Sequence, residues 1–415
     1  MLTGAMAAAM GLVLFAGGLA VGHATVAPDA TQPGTTASTS VDGSSASQEL
    51  ALIDEAWKTI QDHYVDAASL DDQAMAYAAI QGMTKAVGDE GHTTFLTAAE
   101  SKAVDQSLSG TFVGIGIQVS TDTSNGPVVN TVIPNTPAEE AGLQRGDRIA
   151  AVNGTTTDGE TIDQVISRIR GPEGESVTLT IDRAGTQPFD VTIVRRKFDL
   201  PLVEWSMVPG QKTALIRLDQ FATGATKGVE DAIKAAQADG ATGIILDLRG
   251  NPGGYVNEAV GVASQFVGDG IVYRSVDASG VEKDIPVEPG GLWTSGPLVV
   301  LTDGNTASSA EIVTGAIQDA GRGTVVGEKT FGTGTVLGRF DLADGSSLRI
   351  GVERWLTRDG RPIWHEGLEP DITVALPDNA SILFPGDVQS MTASQLAASS
   401  DTQLLRALAV LKSGS

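Results

Sequence analysis

Ser308 is the residue of this sequence that is best placed for nucleophilic chemistry. It lies within a stretch from Pro297 to Gly338 that reads PLVVLTDGNTASSAEIVTGAIQDAGRGTVVGEKTFGTGTVLG. The pattern predicts an apolar strand over residues 298–301, a polar loop, and a helix that begins at Ser308. We expect a serine at such a turn to be exposed and to face the positive end of the helix dipole. A nucleophilic hydroxyl and a developing oxyanion are both stabilised there.

The same residues allow a purely structural interpretation. Ser308-Ser309-Ala310-Glu311 matches a helix capping box, in which the serine side chain accepts an amide hydrogen bond and the glutamate reaches back. Asp247 and Arg249, in a turn after another apolar run, are better explained as charge-assisted braces of that turn than as catalytic groups. From the residues alone, the cap and the nucleophile both stay open.

The composition limits the classes of function. The chain has 415 residues, 41% of them hydrophobic, which predicts a globular protein of two or three domains. A formal net charge of -24 argues against nucleic acid or an anionic membrane surface as the main partner, because either would need a basic face. The absence of cysteine excludes disulfides, thiol catalysis and thiolate metal sites. No His/Cys metal set exists in the sequence, so we expect neither a metal nor another cofactor.

The first 27 residues predict export. Residues 4–22 are nearly all apolar, and no charged residue precedes Asp29. A run of about 20 apolar residues is enough to span a bilayer. We therefore expect a signal peptide or membrane anchor over residues 1–27 and a flexible Ser/Thr/Gly/Pro-rich linker over residues 28–47. This predicts an extracytoplasmic protein that is either secreted or, if the segment is not cleaved, attached to the membrane through it.

Residues 48–106 are predicted to form a helical region. Its first helix carries apolar residues at helical spacing, namely Ile53, Trp57, Ile60 and Tyr64. Such a stripe is usually ordinary core. In a short helical arm it also suits pairing with a second copy of the chain, so a homo-oligomer formed through the helical N- and C-terminal regions is a further expectation.

Residues 107–197 change to the pattern of strands and resemble a PDZ domain. The resemblance depends on the turn Gly114-Ile115-Gly116-Ile117, a short helix from Pro137 to Ala141, and a Gly146-Asp147…Asn153-Gly154 segment. It implies that amides of the turn at residues 114–117 capture the C-terminal carboxylate of a peptide, whose backbone then adds as a strand. A dinucleotide-binding interpretation of Gly114-Ile115-Gly116 is weak, because no third glycine opens a helix at the needed spacing.

Residues 198–375 alternate strands with helices and are predicted to form an α/β core. Strands are expected over residues 213–218 and 243–248, with helices over 226–238 and 256–266. The remaining residues, 376–415, form a polar tail that ends in a short apolar helix over residues 404–411. That helix can dock on the core or pair with another chain.

Four motifs in this order resemble a known family. They are the PDZ-like domain, Asp-Leu-Arg…Asn…Gly-Gly (247–254), Ala-Ser-Ser-Ala-Glu (307–311) and Gly…Thr-Phe-Gly…Gly (327–334). Together they resemble the carboxyl-terminal processing peptidases, also called tail-specific proteases, over roughly residues 51–372. The resemblance implies an exported multidomain protein of α/β and α+β class, with a helical N-terminal region, a PDZ-like domain and a crotonase-like α/β protease core. Its implied partners are the C-terminal tails of proteins or peptides.

The resemblance also assigns roles to residues. It implies that Ser308 is the nucleophile, three residues before Glu311. The implied oxyanion hole consists of a backbone amide of Gly253 or Gly254 and the amide of Ser309. Backbone amides of this kind are worth about 3 kcal/mol each in serine proteases.

The sequence departs from the family at the general base. The family has a lysine 25 residues after the serine and a glutamine four residues later, where this chain has Thr333 and Leu337. A threonine hydroxyl cannot remove the proton of a serine near neutral pH. Lys329 is the first candidate for a substitute base, although it lies four residues upstream of Thr333. His365 is a second candidate, whereas His63 and His92 fall in the helical region, where surface or loop roles are expected.

Two hypotheses of function follow. The first is an exported serine endopeptidase that binds C-terminal tails through its PDZ domain and uses an altered base. The second is a catalytically silent relative that binds protein tails as a scaffold or regulator.

Overall fold

The computed structural model describes residues 43–89, 92–122, 126–199, 202–377 and 380–413. The predicted export segment lies outside these residues. Within them, no helix combines the length and the apolar character that crossing a membrane requires. The predicted linker over residues 28–47 is wrong at its end, because the first helix already begins at Gly43. The run that follows Gly43 contains no proline, so nothing stops the helix from extending through these small residues.

The N-terminal region consists of three helices and a short strand, in the order α1 (Gly43–His63), α2 (Asp72–Ala86), β1 (Thr94–Leu96) and α3 (Ala98–Leu108). The side chains of Asp71 and Thr97 cap α2 and α3, and Thr97 forms a full capping box with Glu100. Strand β1 pairs with a strand of the core, which fastens this region to the rest of the molecule.

The apolar stripe of α1 does not pack as core. Ile53, Ile60 and Tyr64 are exposed, and Trp57 is half-buried. Helix α2 likewise buries no residue. The expectation of ordinary core was therefore wrong for this stripe. Periodicity identified the helix correctly, but it cannot show whether an apolar face meets a partner within the same chain.

The PDZ-like region contains strands and two helices: β2 (Thr111–Gly114), β3 (Ile117–Asp122), β4 (Gly126–Val132), α4 (Pro137–Glu140), β5 (Arg148–Val152), β6 (Thr155–Thr156), α5 (Ile162–Ile169), β7 (Ser176–Asp182), β8 (Phe189–Val194) and β9 (Arg196–Asp199). Its sheet has the order β3-β4-β5-β7-β8, with β6 paired to β5. The turn predicted over residues 114–117 separates β2 from β3 and bends at Gly116. That residue has a φ of 89°, and a Cβ there would lie 2.2 Å from Thr136. Strands β2 and β9 form a separate antiparallel ribbon where the chain enters and leaves this region.

The core is built on a largely parallel sheet of order β10-β11-β12-β15-β16-β19. The elements in chain order are β10 (Val203–Met207), β11 (Thr213–Leu218), α6 (Ala225–Ala238), β12 (Gly243–Asp247), α7 (Val256–Phe266), β13 (Ile271–Asp277), β14 (Glu282–Pro286), β15 (Leu298–Thr302), α8 (Ser309–Asp319), β16 (Thr324–Gly327), β17 (Thr335–Asp341), β18 (Ser347–Thr357) and β19 (Ile372–Thr373). Helices α6, α7 and α8 pack on one face of this sheet. Because parallel strands end at the same edge, the loops after β12 and β15 meet there, and Ser308 lies in the second of them.

A second sheet covers the other side of α7 and α8. Its order is β1-β18-β13-β14, with β17 also paired to β18. Strand β18 supplies the buried Trp355 to the main hydrophobic core. Strands β13 and β14, in the long connection between α7 and β15, were not predicted from the sequence.

The C-terminal tail packs against the opposite face of the parallel sheet through α9 (Pro385–Ser390), α10 (Ala393–Ala397) and α11 (Thr402–Ser413). Leu404 and Leu408 of α11 are buried against strands of that sheet. The residue before α11, Asp401, is fully buried, and its Oδ1 lies 2.9 Å from the Arg249 Nη1. The tail therefore reaches the turn that follows β12.

We expect Asp401→Ala to destabilise the protein by about 3–5 kcal/mol, because it leaves the buried charge of Arg249 without one of its carboxylates. Urea unfolding followed by tryptophan fluorescence measures the effect as a lower midpoint. Asp231→Ala is the matched control, since Asp231 forms an exposed ion pair with Lys227, one turn away on α6. A midpoint for Asp401→Ala equal to that of the control would contradict the expectation.

Candidate active site

Ser308 lies between β15 and α8 in a backbone conformation that is unfavourable for a side chain. Its φ is 56°, in the left-handed region, where a non-glycine residue stores strain. The expectation that it is exposed was wrong, because the residue is fully buried. Its Oγ forms no hydrogen bond with any residue that the structure describes.

The predicted capping box is formed only in part. The Glu311 Oε2 accepts the Ser308 amide at 2.8 Å, as the box requires. The Glu311 amide, however, donates to the Ser308 carbonyl oxygen and not to its hydroxyl. The Ser308 hydroxyl therefore does not cap the helix, and the structural interpretation of this serine loses its main support.

The turn after β12 lies directly against Ser308. Gly253 has a φ of 95°, and a Cβ on it would stand 2.6 Å from the Ser308 Cβ. A Cβ on Gly254 would stand 2.4 Å from the carbonyl oxygen of Phe221. A side chain at either position would collide with neighbouring atoms, so both residues must be glycine. Their small size lets the turn contact the candidate nucleophile, Ser308.

The two glycine amides have different roles. The Gly253 amide donates to the side-chain oxygen of Asn251 at 2.8 Å, so it holds the turn and is not free for a ligand. Among the described residues, none accepts a hydrogen bond from the amides of Gly254 or Ser309. The Ser309 hydroxyl donates to the Gly254 carbonyl oxygen at 3.0 Å and ties these two positions together. Of the predicted oxyanion donors, Gly254 and Ser309 therefore fit, whereas Gly253 does not.

Asp247 and Arg249 brace this turn in the way that the sequence indicated. The Arg249 guanidinium donates to both oxygens of Asp247, at 2.9 and 2.7 Å. Burial alone would raise the pKa of Asp247, but Arg249 and Arg217 hold it below its ordinary value. Both groups of the pair are fully buried and far from solvent, in agreement with a structural role.

Glu311 connects the loop of Ser308 to the segment of residues 330–333, in which the family resemblance places the base. Its Oε2 accepts the amides of Ser308 and Thr333, each at 2.8 Å. Its Oε1 accepts the Gly332 amide at 2.8 Å and the Thr330 hydroxyl. Burial raises the pKa of Glu311, and the four hydrogen bonds lower it. Burial has the larger effect, so the pKa is about 7. One carboxyl group thus fixes both halves of the site.

Thr333 and Leu337 occupy the positions at which the family has its lysine and glutamine. Both are fully buried. The Thr333 Oγ1, like the Ser308 Oγ, forms no hydrogen bond with a described residue. Thr333 therefore lies at the site, but it offers no group that can take a proton from Ser308 at neutral pH.

The structure does not bring Lys329 to Ser308. The Lys329 Nζ lies 2.9 Å from the Glu369 Oε1, and its side chain is 52% exposed. The Ser308 Oγ is buried and lacks a hydrogen-bond partner among the described residues, so the two groups are not in contact. The proposal of Lys329 as substitute base is therefore wrong for this conformation. The turn between β16 and β17 directs Lys329 outward.

A histidine that the sequence assigned to a surface or loop role lies close to the site. His92 is buried, and its Nδ1 is 3.2 Å from the Asp89 Oδ1. Its ring centroid is 6.2 Å from that of Phe331, whose amide donates to the Thr306 carbonyl oxygen two residues before Ser308. His365 is exposed, and its ring centroid is 6.0 Å from that of His92. The sequence contains the pair as Asp-x-x-His (Asp89…His92), but only the fold connects it to Phe331.

The turn predicted to bind a C-terminal tail lies between two strands of the PDZ-like region. Residues 114–117 join β2 to β3, beside α5. Ile115 is buried, and its carbonyl oxygen accepts the Ala138 amide at 2.7 Å. The Gly116 carbonyl oxygen accepts the Ile133 amide at 3.0 Å. The turn is thus fixed through two of its carbonyl groups.

Glu311 should give stability a defined pH dependence. Because its pKa is raised from 4.5 to about 7, the folded protein holds a proton between these values that the unfolded chain releases. This contribution is therefore largest at low pH and is lost as pH rises through about 7. We expect the thermal midpoint of the wild type to fall more between about pH 5 and pH 8 than that of Glu311→Gln, which cannot ionise. Parallel curves for the two proteins would refute this role of the carboxyl group.

Comparison with known proteins agrees with this geometry. Residues 212–374 match Peptidase family S41, and residues 128–183 match a PDZ domain. The chain is 32% identical over 332 residues to the carboxy-terminal processing protease CtpA of Bacillus subtilis, covering 80% of this chain and 70% of that protein. It is 34% identical over 347 residues to a carboxyl-terminal-processing protease of Synechocystis, covering 82% and 81%.

Among solved structures, an S41 protease from Bacteroides fragilis aligns with a TM-score of 0.55 at 18% identity and covers 82% of this chain and 95% of that one, which supports the fold alone. The predicted combination of a PDZ domain and an α/β protease core is confirmed. The family to which this chain belongs is therefore Peptidase family S41, in its branch of carboxyl-terminal processing serine proteases.

Proposed function

We propose that this protein is an extracytoplasmic serine endopeptidase that binds protein C-terminal tails through its PDZ domain and attacks the peptide bond with Ser308. The observation that carries the proposal is the conformation of Ser308. It has a strained φ of 56°, a hydroxyl without a hydrogen bond to the described residues, and the Gly254 and Ser309 amides beside it.

The strain at Ser308 supports a chemical role. A non-glycine residue in such a conformation costs about 1–3 kcal/mol, and it persists only where the surroundings enforce it. A helix cap does not require this conformation, and the hydroxyl does not act as a cap here. The turn at Gly253 enforces the conformation through close contact with the Ser308 Cβ.

The oxyanion of the tetrahedral intermediate is assigned to the amides of Gly254 and Ser309. Ser309 is the first residue of α8, so the helix dipole adds its positive end at the same place. Preorganised amides of this type stabilise developing charge without reorganisation during the reaction. The link between the Ser309 hydroxyl and the Gly254 carbonyl oxygen fixes their separation.

We assign the general base to His92, oriented by Asp89. An imidazole is suited to accept a proton at neutral pH, and a carboxylate on its Nδ1 favours the protonated form during the reaction. His92 contacts the loop of Phe331, which occupies the place where the family presents its lysine. Because the Ser308 Oγ forms no hydrogen bond with a described residue, the proposed pair of Ser308 and His92 must close on substrate binding, as many catalytic pairs do.

The reaction follows from these assignments. His92 takes the Ser308 proton as the Oγ attacks the scissile carbonyl, and the oxyanion forms between the two amides. The protonated imidazole then gives its proton to the leaving amine, which releases the C-terminal fragment. Water activated by the same imidazole hydrolyses the acyl-enzyme and restores the free serine.

The ligand class and location complete the proposal. A PDZ domain that binds a free carboxylate and adds the peptide as a strand selects unstructured C-terminal tails. The membership of the chain in a family of C-terminal processing proteases supports this substrate class. The apolar segment at residues 4–22 supports a location outside the cytoplasm.

We expect Ser308→Ala and His92→Asn each to lower cleavage of an unfolded protein with an apolar C-terminus by about 10²–10⁴-fold. A peptide release assay that compares the variants with wild type measures this loss. Lys329→Ala and His63→Asn are the controls, because both side chains lie on the surface away from the site. If His92→Asn cleaves at the wild-type rate while Ser308→Ala does not, the base is another group. If Ser308→Ala equals wild type, the protein is not a serine peptidase.

A tail-binding protein without catalysis is the second candidate function. It is favoured by the absence, among described residues, of any group hydrogen-bonded to the Ser308 Oγ, together with Thr333 and Leu337 at the family's lysine and glutamine positions. In that case the PDZ domain alone carries the function.

The double variant Thr333→Lys with Leu337→Gln separates the two candidates. If the protein is silent for lack of a base, we expect the double variant to gain cleavage that wild type lacks, since the oxyanion amides are already in place. If His92 is the base, wild type should already cleave the substrate without the two substitutions. The same peptide release assay measures both, and a parallel thermal melt verifies that the enlarged buried side chain is tolerated.

A further inference from the structure

Arg349 on β18 is a buried charge without satisfied hydrogen bonds. The residue is fully buried, and its Nε, Nη1 and Nη2 donate to no described residue. Burying a guanidinium without hydrogen-bond partners costs free energy of folding. Such a group in a native structure therefore calls for an explanation, such as a role in binding. Burial also lowers the pKa of Arg349, although an arginine keeps its charge at any physiological pH.

Arg249 shows what a structural arginine looks like in this chain. It is equally buried, yet its guanidinium donates to Asp247, Asp401 and Gln403. Arg349 has instead one carboxylate at a distance, with its Nη2 3.5 Å from the Asp105 Oδ1 and no hydrogen-bond geometry. The contrast indicates that Arg349 is not a structural brace.

Arg349 and Arg339 form a cationic patch with the carboxylates of Asp105 and Asp341, of which Asp341 accepts from the Arg339 Nε at 2.6 Å. Arg339, which pairs with Arg349 across β17 and β18, donates to the same Asp105 Oδ1. The Asp105 side chain is 44% exposed, so the patch lies directly beneath the surface. Tyr255 belongs to it as well. Burial and Asp105 raise the pKa of the Tyr255 hydroxyl, while Arg349 and Arg339 oppose that rise.

Tyr255 links this patch to the site of catalysis. It follows Gly254 directly, and its amide donates to the Phe221 carbonyl oxygen at 2.7 Å. The patch is therefore one residue away from the proposed oxyanion turn.

We propose that Arg349 and Arg339 form a carboxylate-binding subsite beside the oxyanion turn, and that Asp105 occupies it in the free protein. Arginine pairs are suited to carboxylates because the guanidinium donates in a fixed fork. That the ligand is a polypeptide rests on the proposed function. The carboxylate is either its C-terminus or an acidic side chain.

Calorimetric titration in the Ser308→Ala background tests the proposal without turnover. The probe is an unstructured peptide of ten residues with an apolar, free-acid C-terminus and no acidic side chain. We expect two binding events per chain, one at the PDZ groove and one at the subsite. Arg349→Met should remove one event or weaken it at least tenfold. Asp105→Asn should strengthen the same event about tenfold, because it removes the competing carboxylate while keeping its shape.

The outcomes separate the subsite from the PDZ domain. One event in Ser308→Ala and none with Arg349→Met supports the subsite and rejects tail binding by the PDZ groove. An equal number of events and equal affinities with and without Arg349→Met overturn the subsite. No change with Asp105→Asn overturns the role of Asp105 as its occupant.

Two further arms identify the source of the carboxylate and the state of the fold. If an amidated peptide loses the Arg349-dependent event, the ligand is the C-terminus; if an amidated peptide that carries a glutamate retains it, the ligand is a side chain. If the free-acid peptide and the amidated peptide with a glutamate both show no Arg349-dependent binding event, the assignment of a carboxylate ligand is overturned. Arg354→Met, on the outer face of the same strand, is the matched control and should leave both events unchanged. Arg349→Met should melt no lower than wild type, because it removes a buried charge that forms no hydrogen bond.

Discussion

The carboxyl group of Glu311 is the interaction on which the geometry of the site depends. It receives donors from the Ser308 amide on one side and from Thr330, Gly332 and Thr333 on the other. Without it, four buried donors would lack an acceptor, and the two loops would have no common anchor. The strained conformation of Ser308 is thus maintained from two directions, by the contact with Gly253 and by this carboxyl group.

The altered base position becomes easier to understand in this setting. The segment from Thr330 to Thr333 keeps its path because Glu311 holds its backbone, whatever side chain stands at residue 333. The loop can therefore lose a lysine without losing its fold. The N-terminal region, through Asp89 and His92, then contacts the outer side of the same loop. Residues more than 200 positions apart in the chain, His92 and Phe331, thus meet at this loop.

Local features of the sequence predicted local structure well. The strand over residues 213–218 and the helix over residues 256–266 were predicted with the bounds that the structure shows, because glycines and apolar periodicity delimit them. The burial of Ser308, the four donors on Glu311 and the proximity of His92 to Phe331 were not predictable. Each depends on contacts between residues distant in the chain, which a pattern of neighbours does not contain. The exposure of the apolar stripe of α1 was not predictable for the same reason. Periodicity identifies an apolar face, but it does not show which residues pack against that face.

The ion pair between Arg249 and Asp401 has a consequence for the order of synthesis. Arg249 emerges from the ribosome 152 residues before Asp401, its partner in the pair. Until residues 401–403 are made, the Arg249 guanidinium lacks the Asp401 carboxylate and the Gln403 side-chain oxygen as acceptors. Domains generally fold from the N-terminus during synthesis. The PDZ-like region can therefore fold before the C-terminal tail that packs on the core has been made. A nascent chain would then contain a folded PDZ-like region before the turn at Gly254 has all of its hydrogen bonds.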